Sequence, residues 1–333
     1  MSALPLILAG LAALALGVLL GEWQAAYLAA WLCLLALPLG ALPLVVALDA
    51  FGPARAASTT VSLRPALLRC LGLMPVAALL GLPLLAVVPD LYPFARGAPA
   101  STPLAAFWLT VPFVLARLAV ALALWVWLCR RATRPGYPAA LVLGLHAVLA
   151  TLVSFDLVTA LDPRLGSSLI GLLMMVSWSG LALAAAILRT PARPESGAVP
   201  LALLMATWAF LHFVQFLVVW SANLPAEVSW YLARGGFLGR ALSLAGGAAA
   251  LLAAAFTLRP GPWATRAAAA LILAVHAAEM AWFVTPAGRG AFVVTGPDVL
   301  AGLGVAALAA ALTSVLVPLP ARRDPIPDAK VAA

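Results

Sequence analysis

Runs of about twenty residues dominated by Leu, Ala and Val recur along this chain, separated at regular intervals by Arg, Pro and Gly. A helix rises 1.5 Å per residue, so about 20 apolar residues cover the roughly 30 Å hydrocarbon core of a bilayer. Of the 333 residues, 65% are apolar and 9% charged, against about 45–50% and about 25% in a soluble domain. Too little polar surface exists to keep such a chain in water, and it reads as an integral membrane protein. The runs are continuous rather than short and alternating, which excludes an outer-membrane barrel. Rossmann, P-loop and soluble hydrolase folds drop out as well.

Ten segments meet the length requirement: 4–21, 26–48, 67–89, 104–128, 138–160, 167–188, 199–220, 236–258, 264–284 and 297–318. The predicted fold is all-α, a polytopic bundle of about ten transmembrane helices forming one domain over 1–320, followed by a polar, disordered tail at 321–333. The N-terminal stretch lacks the basic n-region of a cleavable signal and is kept as the first helix. Orientation follows from the basic residues, which are retained in the cytoplasm. Arg55, Arg64, Arg69, Arg130, Arg131, Arg134, Arg189, Arg193, Arg259, Arg266, Arg322, Arg323 and Lys330 fall on the side reached by even-numbered helix ends. Only Arg96, Arg164, Arg234, Arg240 and Arg289 fall on the other. Both termini, and the tail with them, are therefore predicted to be cytoplasmic. Glu22, Asp90, Asp162, Glu227 and Asp298 are then periplasmic.

The net charge of +8 would suggest nucleic acid in a soluble protein. Here nearly all the basic residues are Arg set between apolar runs, which is membrane topology and argues against a nucleic-acid partner. Cys33, Cys70 and Cys129 are singletons without a CxxC or CxxCH motif, so they read as small apolar residues rather than cluster or haem ligands.

An ionisable side chain at bilayer depth costs at least about 2.5–3.5 kcal/mol, which makes each one a functional candidate. Arg117 lies about midway along the fourth span, either in a structural ion pair with Asp156 or Glu279 or in a polar route. His146 and Asp156 share the fifth span but not one face, being ten residues apart. Asp162 before Pro163 reads as a helix N-cap. In the seventh span Trp208, His212, Gln215 and Asn223 fall within an arc of about 100°, a polar stripe that either glues helices together or carries a proton or quinone path. Pro225 and Glu227 open a short helix bearing Trp230 and Tyr231 at belt depth. His276 and Glu279, three apart on the ninth span, can hold and pass a proton. No histidine pairing suits bis-His haem, and no His/Cys cluster has zinc or copper spacing.

Four stretches taken together resemble a known family: FVLARLAVALALWVW (113–127), FDLVTALDP (155–163), QFLVVWSANLPAEVSWYLAR (215–234) and HAAEMAWFVTP (276–286). They are similar to the ten-helix second quinol-type membrane subunit of bacterial alternative complex III, in the polysulfide-reductase membrane-anchor superfamily. The likeness covers roughly residues 100–290 and keeps order and spacing. The family pattern FDW…SLDPHW falls on Phe155, Asp156, Leu161, Asp162 and Pro163; WxANLPEE falls on Trp220, Ala222, Asn223, Leu224, Pro225 and Glu227. Leu157 stands where the family has Trp, Arg164 where it has His, Ala226 where it has the first acid, and Glu279 where it usually has Asp.

The resemblance implies a multi-pass subunit of the bacterial inner membrane, in a respiratory quinol:electron-acceptor oxidoreductase. Its partners would be membrane lipid, a sister quinol-type anchor, and subunits carrying iron–sulfur clusters and haem c. The chain itself is expected to bind no cofactor, with quinone or quinol as the small molecule it could contact. Whether it is itself catalytic is left open by this reading. A proton path is expected through Asp156, Glu279, His146 and His212, with Arg117, Asp162, Gln215, Asn223, Glu227 and His276 as structural or network residues. The competing readings are a secondary transporter, its helices interrupted at Pro38, Pro43, Pro75, Pro83 or Pro112, and a purely structural scaffold.

Overall fold

The computed structural model describes residues 3–51, 60–99, 102–191 and 193–316, and every regular element among them is a helix. In chain order these are α1 (Leu4–Leu19), α2 (Trp23–Phe51), α3 (Thr60–Leu71), α4 (Met74–Leu79), α5 (Leu84–Leu91), α6 (Pro103–Trp108) and α7 (Val111–Ala132). Then come α8 (Ala139–Ser154), α9 (Ile170–Arg189), α10 (Ala198–Ala222), α11 (Pro225–Arg234), α12 (Phe237–Leu258), α13 (Pro262–Arg289) and α14 (Gly296–Leu316). A π-helical turn (Phe155–Thr159) extends α8, and a 3-10 turn (Pro194–Gly197) precedes α10. The predicted tail at 321–333 and Arg55 lie outside the described residues.

Eight of these helices are long and apolar enough to cross a membrane, or up to nine if one bent pair counts as a span. The chain is thus an all-helical, multi-pass membrane protein. The first expected span is shorter than predicted: α1 has 16 residues and lies along α14. Gly10 and Gly304 let the two backbones approach, since a Cβ on Gly10 would sit 3.0 Å from the Gly304 carbonyl oxygen; close contact through small residues is the usual way helices associate in lipid.

Two expected spans are interrupted where they were read as continuous. The third, 67–89, breaks between α4 and α5, and its two halves meet at 66°. Pro83 has no N–H to continue the ladder and its ring crowds the preceding turn. In lipid the freed carbonyls need donors, and α2 supplies them: Trp31 Nε1 donates to Ala77 O at 2.8 Å and Tyr27 Oη to Leu80 O at 2.6 Å. The fourth span, 104–128, is split into α6 and α7 at Leu109–Thr110, with Pro112 in the first turn of α7. Arg117 is therefore in the second turn of its helix, not midway along it. Pro38 and Pro43, by contrast, lie inside an uninterrupted α2.

The centre of the bundle is made by α2, α9 and α13, while α10 and α12 pack on each other at the periphery, turning Phe210, Phe213, Leu244 and Leu251 outward. At the α2–α9 crossing the chains touch backbone to backbone. A Cβ on Gly40 would lie 1.9 Å from the Trp178 carbonyl oxygen. Gly40→Ala must push the two central helices apart, and a loss of about 3 kcal/mol or more is expected. Gly144→Ala, where a Cβ would meet nothing within 4 Å, is expected to be neutral or slightly stabilising. Thermal unfolding of the two variants in detergent checks the contrast; equal midpoints would contradict the packing.

Candidate proton-handling site

Glu279, about 15 Å from the C-terminal end of α13 by helical rise, has 1% of its surface exposed. A lone carboxylate at that depth would be prohibitive, so the surrounding helices supply donors. From α10, Trp208 Nε1 donates to Oε1 at 2.8 Å and His212 Nε2 lies 2.6 Å from the same oxygen. From α9, Ser177 Oγ donates at 3.2 Å, and on α13 itself His276 Nδ1 lies 3.0 Å from Oε2. Helical periodicity explains the convergence: Trp208 and His212 are four apart on α10, and His276 and Glu279 three apart on α13. Two glycines make the room, because a Cβ on Gly180 would lie 2.4 Å from His276 Nε2 and one on Gly246 would lie 2.5 Å from the Trp208 ring.

Each of the two imidazoles sets one ring nitrogen at hydrogen-bond distance from the carboxyl, the donor being fixed by the tautomer and by which group holds the proton, and the buried His276 Nε2 has no partner among the described residues. A proton shared across the 2.6 Å His212–Glu279 contact can rest on either group, giving a neutral acid beside neutral imidazole or a carboxylate beside imidazolium. Both forms keep the pair's net charge unchanged, so the proton can move without creating an isolated buried charge. His212 is the half-open member. With Trp208, Glu279 and Trp282 it lines a half-open cavity of about 220 Å³ between α10, α12 and α13, whose α12 wall is Leu242, Ser243 and Gly247. An apolar cavity of about 150 Å³ suffices for one benzene ring, so the space is of the size of a single six-membered ring, with an imidazole and a carboxyl on its wall.

Two arginine clusters lie toward the end of the bundle where α13 terminates. In each, an arginine takes a tryptophan carbonyl that has no helical N–H partner, four residues before a proline. Pro286 frees Trp282 O, which accepts from Arg234 Nε at 3.1 Å. Trp108 O, left unpaired where α6 ends, accepts from Arg117 Nη2 at 3.0 Å. Each arginine also holds an aspartate and stacks on an indole. Arg117 forms a bidentate pair with Asp156 at 2.8 and 2.9 Å and lies 4.0 Å over the Trp108 ring. Arg234 donates to Asp162 Oδ2 at 3.2 Å and lies 3.7 Å over Trp230.

Asp162 caps no helix, contrary to the expectation from Asp-Pro: α9 starts only at Ile170, after an irregular loop. Its carboxylate is bridged instead between Arg234 and Arg164, the latter bidentate at 2.8 and 2.9 Å. Burial alone would raise this carboxyl, but the hydrogen bonds of Arg164 and the charge of Arg234 hold it below the usual aspartate range. Burial pulls the Arg234 guanidinium down to about 10, against the pull of Asp162, so it stays charged at neutral pH.

The structure therefore gathers His212, His276 and Glu279 with Trp208, and separately Arg117 with Asp156. His146 joins neither group: it is buried, its ring faces Trp125 at 6.4 Å, and neither ring nitrogen has a hydrogen-bond partner among the described residues. Gln215 accepts from Ser167 Oγ, tying α10 to the loop that carries Asp162. Asn223 closes α10 in a left-handed conformation (φ 49°) and is exposed. Glu227 is half-buried in the first turn of α11. Among the described residues no three His, Cys, Asp or Glu side chains converge as metal ligands. Ser177, Arg234 and Trp108 were missed from the sequence. The WLTVP and WFVTP stretches, each a Trp four residues before a Pro, were the available signal for two of them.

No family model matches this chain, and no curated protein matches it.

Proposed function

We propose that this chain is a membrane subunit of a respiratory quinol:electron-acceptor oxidoreductase of the alternative complex III type. It would hold the redox subunits in the membrane and handle a proton at Glu279. The observation that carries the reading is the buried Glu279 carboxyl, met by two imidazoles from α10 and α13 beside a cavity of ring size. Quinol oxidation releases two protons, and a carboxyl–imidazole pair beside the ring is the chemistry that accepts one. The proposal includes ten spans, counting α1 and the bent α3–α5 segment, with both termini in the cytoplasm of a bacterium. It also includes a sister anchor and partner subunits that carry the iron–sulfur clusters and haem c.

The transporter reading has one feature in its favour, the 66° break in the third span. That break, LLGLPL at 79–84, has no ionisable or hydroxyl side chain to bind an ion, and its freed carbonyls are taken by Trp31 and Tyr27. Purification of the tagged chain from native membranes in mild detergent tests the proposal. Co-purifying subunits with a haem c spectrum and iron–sulfur content are expected, and a colourless protein without partners would overturn it.

A further inference from the structure

On the face of α13 turned away from the His212 cavity, a groove of about 580 Å³ runs between α2, α9, α13 and α14. One end is deep, where Cys33, Ala277 and Gly302 line it. The other is marked by Thr313 and Arg189, the last residue of α9. From Gly302 to Thr313 the rise is about 16 Å, the half-thickness of a roughly 30 Å hydrocarbon core. The groove is thus as long as one leaflet is deep. Its walls are almost wholly apolar, and α14 contributes the small side chains of Ala306 and Ala310 that keep it open.

The mouth is not apolar. Arg189 is exposed, with no acid within ion-pair distance and no hydrogen bond among the described residues. Arg266 fixes the helix end beside it by donating to the carbonyls of Thr190 and Pro191 at 3.0 and 3.1 Å. We propose that this groove is a site for one anionic phospholipid of the leaflet at Arg189, with an acyl chain between α2 and α14 and its phosphate on the guanidinium. An uncompensated cation at the interface end of a leaflet-length slot matches that shape and charge. A transmembrane helix, about 10–12 Å across with its side chains, is too wide for a slot of this volume. The inference needs only membrane insertion and is independent of the redox reading.

The test is native mass spectrometry of the full chain with any co-purifying subunits, delipidated and then titrated with phosphatidylglycerol or phosphatidylcholine. One phosphatidylglycerol per chain is expected to be retained in preference to phosphatidylcholine. Arg189→Gln should reduce that preference by about fivefold or more, from the interfacial worth of one basic residue. Ala306→Phe, at an exposed groove position, should abolish retention of both lipids. Equal retention of the two lipids by the unmodified protein would overturn the proposal. So would retention unaffected by either substitution, or a photo-crosslinker at position 306 that captures a polypeptide instead of a lipid.

Discussion

Glu279→Gln is expected to slow quinol-dependent reduction of the electron acceptor by about 10²–10⁴-fold, the range of a lost acid–base group, while the chain still accumulates in the membrane. Gln keeps the side-chain length and its amide oxygen can still accept from Trp208, so packing around α13 should survive. What it cannot do is exchange a proton with His212, which lies 2.6 Å from the carboxylate in the native protein. Proton release measured with an external pH indicator should fall in parallel with turnover. His146→Phe provides the internal control: both imidazole nitrogens lack partners among the described residues, so an apolar ring of similar shape should change turnover by less than about twofold. Full turnover and proton release in Glu279→Gln would remove the carboxyl from the mechanism.

The contrast between those two histidine-bearing regions shows how far the chain could be read unaided. Helix periodicity was enough to put Trp208 and His212 on one face and His276 beside Glu279, because those relations are local. That α10 and α13 turn these faces toward each other is a matter of tertiary packing, set partly by Gly180 and Gly246, whose missing Cβ atoms admit His276 and Trp208. Nothing in the spacing of glycines announces such a vacancy. The same limit explains His146, a polar residue in an apolar run, which alone does not reveal whether a partner helix brings it a hydrogen bond.

Span existence was legible from hydropathy, and span continuity was not. Pro38 and Pro43 are absorbed inside α2, whereas Pro83 bends its span and Pro112 starts a new helix. The difference lies in what neighbours can offer. Where α2 presents Tyr27 and Trp31 to the third span, freed carbonyls find donors and the break is tolerated in lipid. At Phe155–Thr159 the π-helical turn has a similar support, Tyr92 Oη donating to Leu157 O at 2.8 Å. Asp162 matched a local rule for caps and is claimed instead by Arg164, two residues on, and by Arg234, 72 residues away on α11, a competition that the Asp-Pro dipeptide cannot show.

Asp162→Ala should destabilise the folded chain by about 3–5 kcal/mol, the cost of stranding one partner of a buried ion pair. Arg234 has 1% exposure and cannot reach water once its counter-charge is gone. Its bonds to Trp230, Trp282 and Phe283 carbonyls satisfy its protons but not its charge. The pH dependence has a definite sign. A carboxyl whose folded pKa is depressed stabilises fully above its unfolded value of about 3.9, and that contribution is lost as pH falls through the folded value. The gap in thermal midpoint between native chain and Asp162→Ala should therefore be constant from about pH 5 to 8 and narrow below about pH 4. Arg234→Lys should be nearly as damaging as Asp162→Ala, because an ammonium has three protons and no planar fork for an aspartate and three carbonyls at once. Arg164→Ala, at the half-exposed edge of the cluster, should cost far less, since Asp162 would keep Arg234 and the Arg164 side chain is 39% exposed. If instead Arg164→Ala proved the more damaging, the stabilising contact would lie at the surface, and the guanidinium held on the Pro286-freed carbonyl would be a consequence of the fold rather than one of its supports.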